Sequence, residues 1–333
     1  MAPDAVKLDV KDRKILYQLD LNCRQSLGQI AKKVGLSKQV VDYRIKRLEE
    51  KGIIKAYVTV MNTTKLGFYT FRLFIKFLRP THETVKEIVG TLKRHKHVAW
   101  LIDCYGEWDL CFVFVNKSVE EFHHDLNEFL QKHRDHIRAK DISILSETYY
   151  CRRAYILGLE QDTSPYDTMT SPPGEIVKFD GDRLDWEILK QIATNARAEL
   201  QHVAQKVGLS PKAISYRMKN LIKRGVIQNF RAVFDVTVLG YDYFKIALSI
   251  GSLTKQKEHE LFTWLQMHPN VVFITKPIGQ ADYEFEVQAK GREEFWKIID
   301  TLRERFKDII LTVTSQQFGP EHKFTYLPEI TPV

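Results

Sequence analysis

Cysteine is scarce in this chain, with four in 333 residues. Cys23, Cys104, Cys111 and Cys151 show no Cys-x-x-Cys spacing, which excludes a disulfide framework and a zinc ribbon as organising devices. Buried, reduced thiols are the expectation. Long apolar runs are also missing: stretches such as 110–115 reach only strand length, so no membrane-spanning helix and no membrane partner are expected. Residues 1–11 carry no apolar core of signal-peptide type, which points to a cytoplasmic location. Catalytic motifs are absent as well. There is no Gly-x-x-x-x-Gly-Lys-Ser/Thr loop, no Gly-x-Ser-x-Gly elbow and no His-Glu-x-x-His helix. A non-enzyme with no cofactor and no metal is the reading these absences leave.

What the chain does have is the balance of a soluble globular protein, 44% hydrophobic and 28% charged, with a net charge of +8. That charge is not spread evenly. Residues 1–60 hold 13 Lys/Arg against 7 Asp/Glu, a balance of +6, and residues 174–233 hold 11 against 6, a balance of +5. The two segments together carry +11, so the rest sums to −3. A basic excess that is local and duplicated suits phosphate as a partner.

The duplication extends to the residues. Shifted by 173 positions, the sequence matches itself without gaps from Asp9/Asp182 and Asp12/Asp185 to Phe122/Phe295. Lys33-Val34-Gly35-Leu36-Ser37 returns as Lys206-Val207-Gly208-Leu209-Ser210. Farther on, Leu66-Gly67 returns as Leu239-Gly240, and Gly106 and Asp109 as Gly279 and Asp282. Repetition on this scale means that one structural unit occurs twice. Between the units, 161–175 is rich in Pro, Ser, Thr and Gly and reads as a linker.

Each unit opens on helical periodicity. Ile15, Leu16 and Leu19 share one face of a first helix, with acidic residues at its start. A short second helix, 27–34, is stopped by Gly35. Ser37 is placed to cap a third helix that runs to about Lys51 and ends at Gly52. In that helix Val41, Ile45 and Leu48 recur at i, i+4 and i+7 and should be buried, as should Ile214, Met218 and Leu221 in the copy. Residues 53–60 alternate like a strand and would form a wing.

Helix, tight turn and helix, followed by a strand, is the plan of a winged helix-turn-helix, whose third helix enters the major groove of double-stranded DNA. The expected contacts come from Ser37, Lys38, Gln39, Tyr43, Arg44, Lys46 and Arg47 in the first unit. In the second they come from Ser210, Lys212, Ser215, Tyr216, Arg217, Lys219 and Arg224. The early residues of the helix would meet base edges and the later cations phosphates, with Arg44 and Arg217 the candidates for bidentate contact to guanine.

The pattern Asp-x-x-Asp-x-x-Ile-Leu, then Ala-x-x-Val-Gly-Leu-Ser, then Arg-x-x-x-Leu-x-x-x-Gly-Ile-Ile resembles the Lrp/AsnC (feast/famine) family of prokaryotic regulators. It covers 9–60 and 182–233. Downstream, 68–77, 98–104, 110–115 and 137–145 read as strands, with helices at 83–95 and 119–131. The copy places strands at 243–250, 271–277, 283–289 and 309–318, with helices at 258–268 and 293–306. This β-α-β-β-α-β order is ferredoxin-like. The fold expected is therefore α+β, two tandem units of a winged helix-turn-helix followed by a ferredoxin-like domain. The divisions fall at 1–62, 63–158, a linker at 159–176, 177–235 and 236–333.

The resemblance implies that such a domain pairs its sheet with that of another copy and binds a small effector, commonly an amino acid, near a Gly-x-x-Asp turn. Gly106-Glu107-Trp108-Asp109 and Gly279-Gln280-Ala281-Asp282 match, so Tyr105, Gly106, Asp109, Gly279 and Asp282 are the candidate effector residues. The same turn also serves as a plain hairpin. Tyr105 and Ile278 stand where the family often has a small Thr, which would narrow an effector pocket. In one chain, the two regulatory domains would pair across a pseudo-dyad and present two recognition helices to a quasi-palindromic site. Assembly into a higher homo-oligomer is a further expectation, since family members commonly form dimers to octamers.

Seven of the 11 histidines fall in the first regulatory domain. His133 and His136 are three apart, but no cysteine or carboxylate completes a metal spacing around them. Sirohaem decarboxylases share the two-domain plan, so a haem-binding enzyme is the alternative to a regulator; a scaffold without DNA binding is a third reading. The basic outward residues of both third helices favour the regulator.

Overall fold

The computed structural model describes residues 6–159, 169–171, 176–252 and 254–327. Helix α1 (Val10–Leu21) begins at Asp9, whose carboxylate accepts the Asp12 amide at 2.7 Å. Helix α2 (Leu27–Val34) starts with a reciprocal Ser26/Gln29 capping box and stops at Gly35, whose φ of +68° suits a residue without a Cβ. Ser37 then caps α3 (Lys38–Glu50), and Val41, Ile45 and Leu48 are buried as their spacing requires.

Strand β1 (Ile54–Met61) leads to β2 (Tyr69–Phe77), α4 (His82–Arg94), β3 (Val98–Tyr105), β4 (Leu110–Asn116), α5 (Val119–His133), β5 (Ile137–Tyr150) and the short β6 (Met169–Ser171). The second unit repeats the order: α6 (Arg183–Ala193), α7 (Leu200–Val207), α8 (Pro211–Lys223), β7 (Ile227–Phe234), β8 (Asp242–Ile250), α9 (Lys255–Met267), β9 (Val271–Ile278), β10 (Tyr283–Ala289), α10 (Gly291–Arg305) and β11 (Ile310–Phe324). Of the linker expected at 161–175, only β6 lies within the described residues, as a strand on the end of β5.

The strand after each helical trio does not make a wing of its own. β1 pairs antiparallel with β7, with Val58 opposite Arg231 and Thr59 opposite Phe230. A lone strand would leave its amides and carbonyls unpaired, and the equivalent strand of the other unit satisfies them. Around this ribbon the two trios share one core, in which Ile15, Leu48, Trp186, Leu189 and Leu221 are all buried.

Contacts across the pair are reciprocal. Arg24 donates to the Ala196 carbonyl at 2.6 Å, and Arg197, its counterpart at +173, donates to the Cys23 carbonyl at 3.1 Å. Such self-complementary exchange is what a two-fold axis produces.

The eight long strands of the two ferredoxin-like halves close into a barrel. The order is β2-β4-β3-β11-β8-β10-β9-β5, and β5 returns to pair with β2. Each half supplies four strands, and the seams are β3–β11 and β5–β9. Both final strands outrun their expected ends. β5 continues from 145 to Tyr150 because its last residues pair with β9, and β11 continues to Phe324 along β3. Closure removes the exposed edges that either half alone would leave.

Alternation then sorts the side chains. Phe71, Leu73 and Ile75 pack outward with Ile88 and Leu92 of α4 and with Phe122 of α5. Arg72 and Phe74 take the opposite face, into the barrel. All four cysteines are buried and unpaired, as their sparse spacing suggested.

Candidate nucleic-acid interface

Helices α3 and α8 carry the residues read as DNA-contacting, and the fold divides them into two groups. Ser37, Lys38, Gln39, Tyr43 and Lys46 are exposed, as are Ser210, Lys212, Tyr216 and Lys219, with Ser215 partly so. Tyr43 and Tyr216 stand at equivalent positions and are 65% and 67% exposed, far more than a tyrosine needs for packing. Lys46 is held by Asp42 one turn away at 2.8 Å. The copy has Ser215 at that place, so Lys219 lacks this intrahelical ion pair.

The four arginines behave otherwise. Arg44 binds Asp9 at 2.6 Å and Asp12 at 2.8 Å, and Arg47 binds Asp12 at 2.6 Å. Arg217 repeats the arrangement on Asp182 and Asp185, at 2.9 and 2.8 Å, and Arg224 reaches Asp180 and Asp185. Each Asp-x-x-Asp motif caps the first helix and anchors the recognition helix to it. The hydrogen bond from Arg44 holds the Asp9 carboxyl below its ordinary value.

Arg44 and Arg217 were expected to read guanine; in the structure Arg44 Nη1 and both terminal nitrogens of Arg217 are engaged with carboxylates, which gives each arginine an anchoring role. Arg44→Ala is expected to lower stability by about 1–2 kcal/mol, because Asp12, almost fully buried, keeps only Arg47. Thermal melting without DNA checks this.

The Gly-x-x-Asp turns are likewise occupied by structural bonds. The Asp109 carboxylate accepts from the Phe77 amide and the Lys76 ammonium, both at 2.8 Å, and Asp282 accepts from the Ile250 amide at 2.7 Å. Gly279 must be small, since a Cβ there would lie 2.9 Å from the Ser143 side chain on the crossing strand. Gly106 has φ +146°. Tyr105 and Ile278 remain more than half exposed. Residues of the two turns, among them Trp108 and Gln280, line a cleft of about 160 Å³ that also contains Lys245 and Glu284.

A larger cavity of about 570 Å³ lies elsewhere, between the β1–β7 ribbon and the barrel, walled by Val58, Met61 and Phe234 on one side and Trp100, Tyr243 and Phe318 on the other. Three arginines of its lining, Arg72, Arg153 and Arg231, are held by carboxylates that lie behind the wall. Asp20 receives Arg153 at 2.6 Å and Arg231 at 2.5 Å. Burial would raise the Asp20 pKa, but the two guanidiniums overcome it and leave it lowered. Arg72 binds Glu284 at 2.5 Å, and Lys245, its counterpart in the other unit, binds the same carboxylate at 3.0 Å.

Asp20, Arg153, Arg231 and the Arg72 cluster were not singled out from the sequence. The available signal was a cation inside an apolar strand, Thr-Phe-Arg-Leu-Phe-Ile at 70–75, with Lys245 at the matching place.

His133 is buried and packs at a tilt against the Phe129 ring. In the second unit, burial pushes the His268 imidazole down to about 4. The unfolded chain then binds a proton between pH 6.5 and 4 that the folded chain refuses, so stability falls as pH falls through that window. The expected loss is up to about 3 kcal/mol. Urea unfolding at pH 7 and pH 4.5 checks it, and His268→Asn should flatten the difference.

A family model described as winged helix-turn-helix DNA-binding matches residues 8–55 and again 181–228, the two helical trios. The HTH-type transcriptional regulator Ptr1 of Methanocaldococcus jannaschii is 34% identical over 113 residues, 34% of this chain and 75% of that protein. The transcriptional regulator AzlB of Bacillus subtilis is 30% identical over 123 residues, 36% of this chain and 78% of its own. Relatives of this kind thus correspond to a single unit.

Among solved structures, the siroheme decarboxylase NirDL spans both units, covering 96% of this chain and 94% of its own with a TM-score of 0.61 at 12% identity, a likeness of fold. No helix among the described residues is long and apolar enough to cross a membrane. A duplicated helix-turn-helix, each copy followed by a ferredoxin-like half, and regulators aligned over most of their length place this chain in the Lrp/AsnC family of transcription regulators, in a tandem duplicated form.

Proposed function

We propose that the chain regulates transcription by binding a quasi-palindromic site in double-stranded DNA with α3 and α8, and that it performs no catalysis. The observation that carries this reading is the matched pair of exposed faces, Tyr43 and Lys46 on one helix and Tyr216 and Lys219 on the other, related by the pseudo-dyad of the ribbon. Tyrosines and lysines at these positions suit base edges and phosphates, while the paired arginines hold the helices in register. The faces are not identical, since Gln39 and Lys38 are replaced by Lys212 and Pro211, so the half-sites would differ.

A small effector, an amino acid or a molecule of similar polarity, would act at the turn cleft or in the ribbon cavity. The cavity wall includes the strand that follows each recognition helix, so filling it would change how the two heads are spaced. Self-association beyond the intrachain pair would use the outer faces of the ferredoxin-like halves, and the chain would work in the cytoplasm.

The test is a mobility-shift titration against the chain's own promoter region at two salt concentrations. Saturable binding that survives competitor DNA is expected, with affinity falling as salt rises. Weak binding indifferent to sequence would overturn the reading.

The second reading, a tetrapyrrole-modifying enzyme on this architecture, is favoured by the full-length likeness to NirDL and by the size of the ribbon cavity. A visible absorption band on titration with an iron tetrapyrrole, together with absence of specific DNA binding, would select it.

A further inference from the structure

We propose that the first ferredoxin-like half holds one divalent transition-metal ion of the zinc class, ligated by His95, His97 and Asp125. The two histidines flank Lys96 in the loop between α4 and β3, and Asp125 lies on α5. His95 Nε2 is 3.9 Å from Asp125 Oδ1, and His97 Nδ1 is 2.5 Å from Asp125 Oδ2. The three donor atoms lie within 4.8 Å of one another, the separation a tetrahedral ion requires after small adjustments. Two imidazoles and a carboxylate leave a fourth position open.

The surroundings supply a second reason. Asn116 is fully buried; its Nδ2 donates to Asp125 Oδ2 at 2.6 Å, while its Oδ1 has no partner. Turned over, the amide would set its oxygen against the carboxylate, which is unfavourable unless a cation lies between them. Asn116 Nδ2 also lies 3.2 Å from His97 Nδ1, so the amide spans both proposed ligands, and a bound ion would give its orphaned oxygen a partner, either as a ligand or as outer support. Glu121 Oε1 stands 3.7 Å from His97 Nε2, on the far side of that ring, where it can fix the tautomer.

Binding needs a bare His97 Nδ1: the neutral imidazole carries its single hydrogen on Nε2, any Nδ1–H···O contact to Asp125 is given up, and the lone pairs of Nδ1 and the carboxylate form the bonds to the metal, with no net proton released.

The duplicated unit acts as an internal control. At +173 it keeps His268 for His95 but has Asn270 for His97, Ala289 for Asn116 and Ile298 for Asp125. One site per chain is therefore expected. It would clasp α5 to the start of β3, beside the β3–β11 seam, where Lys323 donates to the His95 carbonyl at 2.8 Å.

The probe is Co²⁺ titrated into the full chain after chelator treatment, followed by its visible d–d absorption and by calorimetry, with Zn²⁺ as competitor. One Co²⁺ per chain, with the intense band of a four-coordinate site and displacement by Zn²⁺, is expected. Asp125→Asn and His95→Gln should each weaken binding by about 100-fold or more while the far-ultraviolet circular dichroism is unchanged. Should Asp125→Asn unfold, His95→Gln carries the test alone, because that ring is partly exposed. His82→Ala/His123→Ala removes two exposed imidazoles and should leave the band intact. Absence of a saturable band, or a band that His95→Gln retains and His82→Ala/His123→Ala loses, overturns the proposal.

Discussion

Asp20→Asn is expected to destabilise the protein by about 3–5 kcal/mol, seen as a fall of several degrees or more in melting temperature. The substitution removes one negative charge and little volume, yet it strands Arg153 and Arg231, which are 9% and 4% exposed. Two guanidiniums without a counter-ion cannot be rehydrated without opening the packing of α1 against β7 and against the segment that follows β5. An exposed pair gives the contrast: Lys190→Ala, which breaks a 3.0 Å contact to Glu187 on the surface of α6, should cost less than about 1 kcal/mol.

The acid limb follows with the same sign. Asp20 has a lowered pKa in the folded state. Its stabilisation is complete above the unfolded carboxyl value near 4 and is lost as pH falls through the lower folded value. Wild type should therefore lose stability more steeply than Asp20→Asn in that acid range. A melting temperature within about a degree of wild type would mean that the three residues do not form the closed triad described.

The second large effect concerns DNA. Tyr43→Ala/Lys46→Ala should weaken binding to the specific site by about 10–100-fold, and Tyr216→Ala/Lys219→Ala should do the same. The four changes together should leave only non-specific affinity, roughly 10³-fold weaker. Partial loss from one head is expected because the other remains tethered to the same duplex. Neither pair touches the core, so stability should hold within about 0.5 kcal/mol of wild type. Fluorescence anisotropy on labelled duplex, with melting curves beside it, separates these variants from Arg44→Ala and Arg217→Ala, which should lose stability first. If Arg44→Ala instead lost DNA affinity with an unchanged melt, its guanidinium would be a reading group and the anchor role assigned to it would fall.

Arg44 and Arg217 mark the limit of what helical periodicity can place. Periodicity places Arg44 and Arg217 correctly, off the buried stripe of Val41, Ile45 and Leu48. It cannot tell an outward cation from one that folds back over a neighbouring helix start. The carboxylates that capture them, Asp9 and Asp12 for Arg44 and Asp182 and Asp185 for Arg217, are 32 to 35 residues away in sequence. The Gly-x-x-Asp turns posed the same ambiguity, and hydrogen bonds from Phe77 and Ile250, each from a neighbouring strand, occupy both carboxylates. Asp20 was hidden for a different reason: it lies at the end of an amphipathic helix where a solvated carboxylate is ordinary, and both its partners come from beyond residue 150.

The sequence by itself determined what rests on local periodicity and caps. The helix-turn-helix trios follow from apolar spacing, Ser37 and Ser210 caps and left-handed Gly35 and Gly208, and the βαββαβ order follows from short alternating runs. The tandem plan follows from self-similarity at an offset of 173 residues. Tertiary structure alone decided the pairing of β1 with β7, the closure of eight strands into one barrel, the engagement of the arginines and the gathering of His95, His97 and Asp125. Each of these depends on which strand edge or charge meets which across long stretches of chain, a choice made by burial and hydrogen-bond satisfaction in three dimensions and carried by no local pattern.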